Sequence, residues 1–399
     1  MTDLPDIRIA HFADTHLGYR AMSKLDPETE RNQRSVDFEH SFEATISAIL
    51  AEKPDLIVHA GDVFHHTRPT WHAMRAFVRQ MRRIEQAGIP AVVIAGNHDT
   101  PRMRTSGTAF SVLELALPQI DFVTGYEVEV RRFEQLGVVV HAVPHGALSL
   151  SGYEPSAYAE PGARNILLTH GMIPGMSDVA RYEPGTEEIT DSLIDTSFSY
   201  IALGHYHISS HVRANASYSG STERTGWGDE SANPGFLMLE FPHGEVRPPE
   251  PQHRQVPARP MKTLAAINGE GLPAREIADV ALKRAENVDD PTAMTRIELK
   301  EVTRATRREV EHLVRRELNG RVWSLDCYTR GDLLANIGER VPLDGVVTDI
   351  RTLFGEFVDE RTTAGVYDQA FAGVFRQRGM TAIESAMEQV SQAMAEEDR

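Results

Sequence analysis

Six short apolar runs within the first 210 residues each end on a cluster of polar side chains, and that recurrence limits what the chain can build. Ala91-Val92-Val93-Ile94-Ala95 runs directly into Gly96-Asn97-His98-Asp99. Ile7–Ala13 leads into Asp14-Thr15-His16, Asp55–Ala60 into Gly61-Asp62, and Val138–Val143 into Pro144-His145. Asn165–Thr169 leads into His170-Gly171, and Tyr200–Leu203 into Gly204-His205-Tyr206-His207. Runs of four to seven Val-, Ile- and Leu-rich residues closed by glycine read as buried strands ending in tight turns. Open α/β sheets gather their reactive groups at the carboxyl ends of such strands.

Between the early runs lie helix patterns. Phe38, Phe42, Ile46, Ile49 and Leu50 share one face, as do Met74, Phe77, Val78, Met81 and Ile84, with Gly88 and Pro90 ending the second helix. Alternating strand and helix predicts βαβ units, hence an α/β (α+β) fold with helices covering sheet faces. Later hairpin-like strands, including Phe236–Leu239, are expected to form a second sheet. Pro242, Pro248, Pro249, Pro251, Pro257 and Pro260 then mark a linker. This divides the chain into a first domain over 1–244, a Pro-rich linker at 245–260, a smaller α/β domain over 261–345 and a helical segment over 346–399. In the last of these Ile383, Met387, Val390 and Met394 form a short apolar seam, suited either to docking on its own domain or to a partner helix.

The N-terminus has no secretory h-region, no apolar run reaches the ~20 residues of a membrane span, and the single cysteine, Cys327, permits no internal disulfide. A cytoplasmic protein without a membrane partner is expected. The net charge of −17 argues against a nucleic-acid partner, yet it is unevenly spread. Residues 1–250 carry 33 acidic against 20 basic side chains, whereas 251–350 carry 16 of each. Bound divalent cations would offset part of the N-terminal excess.

A single Asp-x-His or a lone strand-end histidine is ordinarily a hydrogen-bonded turn residue. The ordered set is more informative. Asp14 and Asp62 with Asn97, His16, His170, His205 and His207 supply carboxylate, amide and imidazole donors without thiolate. That donor set suits two adjacent ions such as Mn²⁺, Fe or Zn²⁺, with Mg²⁺ also possible, provided one carboxylate bridges. Two ions ~3.5–4 Å apart clamp a phosphoryl group and activate a water between them. His98, surplus to the ligand count, can donate a proton to a leaving oxygen, and Asp99 can orient His98. Gly96 is expected to let the backbone turn sharply.

The five motifs D-x-H, G-D, G-N-H-D, H and G-H-x-H resemble those of the calcineurin-like metallophosphoesterase superfamily. The resemblance implies a two-sheet β-sandwich flanked by helices. It implies one metal held by Asp14, His16, Asp62 and His207, and a second by a bridging Asp62 with Asn97, His170 and His205. His98 would be the catalytic acid with Asp99 behind it. Within the superfamily, Gly61-Asp62-Val63-Phe64-His65 lacks the Asp-Arg of many phosphatases. Together with Asp14–Tyr19 and Tyr218–Arg224, it resembles the SbcD-type nucleases of DNA double-strand-break repair. That group implies a Mn²⁺-dependent double-strand 3′→5′ exonuclease and endonuclease. It also implies a homodimer of nuclease subunits, a DNA-selecting capping domain and a coiled-coil SbcC-type ATPase partner in a heterotetramer associated with the nucleoid.

Arg20, Arg68, Arg102 and Arg104 closely follow motifs, and with His65 they are candidates to hold flanking DNA phosphates. The rival reading is a free-standing phosphodiesterase or phosphatase acting on small molecules. A non-catalytic scaffold is a third possibility, disfavoured because no ligand position is missing.

Overall fold

The computed structural model describes residues 4–101, 106–148, 159–173, 189, 193–194, 197–248, 250–318 and 320–329, with residues 354–355, 358–359, 362, 369 and 372–381 near the C-terminus. The calls on Arg102, Arg104, residues 330–345 and the 383–394 seam fall outside the described residues, as does most of the 346–399 segment.

The first half alternates as its pattern predicts. β1 (Ile7–Phe12), α1 (Gln33–Glu52), β2 (Leu56–His59), α2 (Trp71–Gln86), β3 (Ala91–Ile94), α3 (Phe110–Ala116) and β4 (Ile120–Val123) follow in order. Asn32 caps α1 by accepting from the Ser35 N–H, and Thr70 caps α2 through the Ala73 N–H. Then come β5 (Glu129–Phe133), β6 (Val138–Val143), the short α4 (His145–Leu148), β7 (Arg164–His170), β8 (Tyr200–Gly204), β9 (Ser210–Arg213), β10 (Ala216–Tyr218), β11 (Gly235–Phe241) and β12 (Gln252–Gln255).

These strands form two mixed six-stranded sheets, ordered β12-β11-β1-β2-β3-β4 and β5-β6-β7-β8-β10-β9. Side chains alternate across each strand, so each sheet offers two apolar faces. Ile7, Ile9, Val58, Val92 and Ile94 of the first sheet meet Val138, Val140, Ile166 and Leu168 of the second. Ala10, Phe12, Ile57 and Val93, on the opposite face, pack under Phe42, Ile46, Phe77 and Met81 of α1 and α2. The result is a β-sandwich flanked by helices.

Two expectations need correction. Phe236–Leu239 lies within β11, which pairs antiparallel with β1 in the first sheet, not in the second. The Pro-rich stretch is not only a connection, because 252–255 forms the edge strand β12. Proline is excluded from the middle of a sheet but not from the flanks of an edge strand, and here Pro251 and Pro257 bracket it.

Beyond it, β13 (Met261–Asn268), α5 (Ala274–Glu286), β14 (Met294–Lys300), α6 (Arg304–Glu317) and β15 (Ser324–Tyr328) build a three-stranded parallel sheet backed by both helices. This unit meets the sandwich through polar contacts. Arg259 grips both oxygens of Asp37 at 2.6 Å, and Lys24 donates to the Trp323 carbonyl at 2.9 Å. The buried guanidinium of Arg34 links Asp37 to Glu223.

Candidate active site

Because β1, β2 and β3 run parallel, as do β7 and β8, their carboxyl ends open on one rim of the sandwich. Asp14 and His16 follow β1, Asp62 follows β2, Asn97–Asp99 follow β3, His170 ends β7, and His205 and His207 follow β8. The structure brings all seven expected ligands together. His16 Nε2 and His207 Nε2 are 3.0 Å apart, and Asn97 Oδ1 lies 2.9 Å from His170 Nε2 and 3.1 Å from His205 Nδ1. Asp62 Oδ2 stands between the two groups, 3.6 Å from His16 Nε2 and 3.5 Å from His170 Nε2.

This convergence is built at some cost to the backbone. Asp14 (φ 53°), His16 (φ 38°), Asp62 (φ 55°) and His205 (φ 107°) all have positive φ, four of the eight such non-glycine residues among those described. Each costs on the order of 1–3 kcal/mol and persists only where surrounding contacts enforce it. Here the His205 N–H donates to both Asp14 oxygens at 3.1 Å, and the His98 N–H donates to Asp62 Oδ1 at 2.9 Å. Gly96 serves space rather than the turn. Its φ is not left-handed, but a Cβ there would stand 2.1 Å from Asp62 Oδ1.

Outer contacts fix which imidazole nitrogen faces inward. His170 Nδ1 donates to the Ala60 carbonyl at 2.7 Å, leaving Nε2 for the site. His207 Nδ1 is 3.0 Å from Asp229 Oδ2, which also accepts from the Thr225 N–H and hydroxyl at 2.8 and 2.7 Å. Asp229 and Thr225 were not anticipated. They sit outside the five motifs, and an acidic residue after Trp227-Gly228 carries no local signature. Buried Thr15 and His59 tie the first two strand ends together, the Thr15 hydroxyl donating to the Val63 carbonyl at 3.0 Å.

Asp99 has partners of its own. Its carboxylate accepts the main-chain N–H groups of Val63 (2.9 Å), Phe64 (2.9 Å) and Gly96 (3.1 Å), bracing the β2 and β3 turns. What meets His98 Nδ1, at 2.8 Å, is the carbonyl of His65. With three backbone donors Asp99 braces these turns, and the His65 carbonyl supports His98 from the neighbouring one. The His65 ring stacks on His98, with centroids 5.0 Å apart, and its Nδ1 lies 3.4 Å from His16 Nδ1.

His65, Arg68, Asn97 and His98 line a cleft of about 1340 Å³, with Trp71, Met74 and His145 also on its walls. Arg68 is exposed there, and Arg20 is exposed beside Tyr19.

The charge balance among these groups is uneven. Burial raises Asp14 to about 6. Burial would raise Asp62 too, but His170, His16 and His98 outweigh it and hold it well below the usual carboxylate range. Burial opposes protonation of His170 and His207, yet Asp62 and Asp14 around the first and Asp229 beside the second lift both to about 9. Burial drives His16 well below its ordinary value. Donor atoms of Asp14, His16 and His207 lie within 4.8 Å of one another, as do those of Asp14, Asp62 and His170. Oxygen and imidazole donors at this spacing, with His170 and His207 held protonated by carboxylates that a cation could neutralise in place of those protons, fit divalent metal ions.

Residues 7–222, more than half of the chain, match the calcineurin-like phosphoesterase family. The chain belongs to that family. Among curated proteins it is similar to the DNA double-strand break repair protein Mre11 of Thermoplasma acidophilum, 31% identical over 53% of this chain and 55% of that one. It is also similar to the Mre11 protein of Methanocaldococcus jannaschii, 29% identical over 58% of this chain and 62% of that one. The chain thus spans about half the length of the curated relatives it matches. A solved structure, the Thermus thermophilus protein TT1561, aligns over 63% of this chain and 99% of its own with a TM-score of 0.37 and 14% identity. As a calcineurin-like phosphoesterase the chain is an enzyme that acts on phosphate esters through divalent metals. Among the described residues no helix is long and apolar enough to cross a membrane.

Proposed function

We propose that the protein is a Mn²⁺-dependent DNA nuclease of the SbcD and Mre11 type, cutting double-stranded DNA as a 3′→5′ exonuclease and endonuclease. The observation that carries this reading is the two-part donor cluster around Asp62 opening into the cleft of His65, Arg68 and His98. Asp14, His16, Asp62 and His207 would hold one ion, and Asp62, Asn97, His170 and His205 the other. Two ions bound there would supply charge stabilisation to a phosphodiester and acidify water for attack. His98, with Nδ1 fixed by the His65 carbonyl, would give the Nε2 proton to the departing sugar oxygen. Arg68 on the cleft wall, with Arg20 beyond Tyr19, would hold phosphates flanking the cut.

The similarity to Mre11 proteins favours DNA over a small phosphodiester, and so does the α/β unit docked beside the sandwich, which would act as a capping domain. The partners in this reading are DNA, a coiled-coil SbcC-type ATPase and a second copy of this chain, in a cytoplasmic, nucleoid-associated assembly. Dimerisation has specific support. Phe77, Met81 and Ile84 are core residues, but Trp71 (84% exposed), Val112 (55%) and Leu115 (85%) are exposed apolar side chains on α2 and α3, the first two at the rim of the cleft.

Plasmid and hairpin DNA set against bis(p-nitrophenyl) phosphate test the reading. We expect nicked and shortened DNA in Mn²⁺. Rapid turnover of the small ester with intact DNA would replace it with the small-molecule phosphodiesterase.

A further inference from the structure

Residues 227–230 touch the metal-ligand cluster with one side chain and the C-terminal α/β unit with two others. Asp229 accepts from His207 Nδ1, the nitrogen opposite the one that faces His16. Immediately before and after it, Trp227 and Glu230 turn to the other unit. The Arg296 guanidinium of β14 lies over the Trp227 ring, 4.6 Å from its centroid, and its Nη2 is 3.3 Å from Glu230 Oε2. Thr263 of β13 donates to Glu230 from both its backbone N–H and its hydroxyl, and that hydroxyl accepts from Arg296 Nε at 2.7 Å. Arg296 and Glu230 are both partly shielded from solvent, so the contact is not an open surface pair.

The turn is therefore gripped on both sides of Asp229 by the unit that carries β13 and β14. A shift of that unit would pull on Trp227 and Glu230 and draw Asp229, between them, away from His207 against the hold of Thr225. Hydrogen bonds weaken steeply with angle and distance, so a displaced Asp229 releases the His207 ring. An outer carboxylate that holds a ligating histidine is worth about 10–100-fold in metal affinity.

We propose that the 227–230 turn couples the seating of the C-terminal α/β unit to the affinity of the His207 metal site, with Asp229 as the positioning residue and Arg296 as the latch. This deepens the proposed function and rests on His207 being a metal ligand. Coupling of this kind is reciprocal, so an ion bound at His207 tightens the seating of the unit by the same factor by which seating tightens the ion.

Calorimetric titration of the full chain with Mn²⁺, compared across variants, tests the proposal without reference to activity. Asp229→Ala is expected to weaken one of two ions by about 10–100-fold. Arg296→Ala, remote from the donor atoms, is expected to weaken the same ion by at least about five-fold, and the double variant to bind no worse than Asp229→Ala alone. Glu230→Gln keeps the side-chain shape, removes the charge facing Arg296, and provides the same comparison should Arg296→Ala fail to fold. Manganese should also slow amide exchange across β13 and β14 in the parent and not in Asp229→Ala. Unchanged Mn²⁺ affinity in the latch variants, or losses that multiply in the double variant, would overturn the coupling. Unaltered Mn²⁺ binding in His207→Ala would instead overturn the metal-site reading beneath it.

Discussion

The main-chain carbonyl of His65 holds the ring of His98, 2.8 Å from Nδ1, while the two imidazoles stack. A carbonyl only accepts, so Nδ1 carries the proton given to His65, and proton transfer to substrate would run through Nε2. His65→Ala keeps that carbonyl and removes the stacked ring. It should lower kcat by about 10–100-fold through misorientation while both ions remain bound. Steady-state kinetics with metal analysis by mass spectrometry checks this, and loss of an ion would make His65 a ligand instead.

The three backbone bonds to Asp99 predict a contribution to stability. Asp99→Ala would orphan three buried N–H groups, each costing about 1–3 kcal/mol, whereas Asp99→Asn retains one acceptor oxygen and should cost less. Urea unfolding of chelator-treated protein should rank the parent above Asn and Asn above Ala. Equal midpoints would remove the bracing role.

Metal loading should depend on pH in a definite direction. In protein stripped of metal, His170 and His207 are held protonated to about 9 by neighbouring carboxylates, against 6.5 for a free imidazole. Their protons must leave before Nε2 can ligate, so Mn²⁺ affinity should rise from pH 6.5 toward 9, with proton release measurable by calorimetry in buffers of different ionisation enthalpy. Stability of the stripped protein should run the other way. A raised folded pKa contributes stability that is complete below pH 6.5 and is lost as pH climbs through about 9. Melting temperature with chelator should fall across that window.

Trp71, Val112 and Leu115 give the dimer reading its test. Leu115→Glu together with Val112→Glu should shift light-scattering mass from two chains to one with an unchanged circular dichroism spectrum. A parent that is already monomeric at micromolar concentration would contradict that assignment.

The sequence reveals the site more fully than its support. Ligands that follow Val- and Ile-rich strands announce themselves, because strand, glycine turn and donor are contiguous, and Asp14, Asp62, Asn97, His170, His205 and His207 all converge. Asp229 reaches His207 from 22 residues further along the chain and depends on how the turn is held, which no local pattern encodes. The bracing bonds of Asp99 are equally hidden, because proximity to His98 in sequence does not reveal the Val63 and Phe64 N–H groups that its carboxylate meets. The sheet to which β11 belongs is hidden for a related reason. An apolar run such as Phe236–Leu239 specifies a buried strand, whereas its partner, β1, lies more than 200 residues away in sequence.

The most direct measurement pairs ion count with DNA cleavage in His98→Ala, using a blunt duplex labelled at its 3′ end. The variant keeps the main-chain N–H that Asp62 accepts, so two Mn²⁺ ions per chain should remain. The parent should release nucleotides, and the variant should lose about 10²–10⁴-fold in rate at full metal occupancy. A variant that cleaves as fast as the parent, or a parent that binds two ions and leaves the duplex intact, would contradict it.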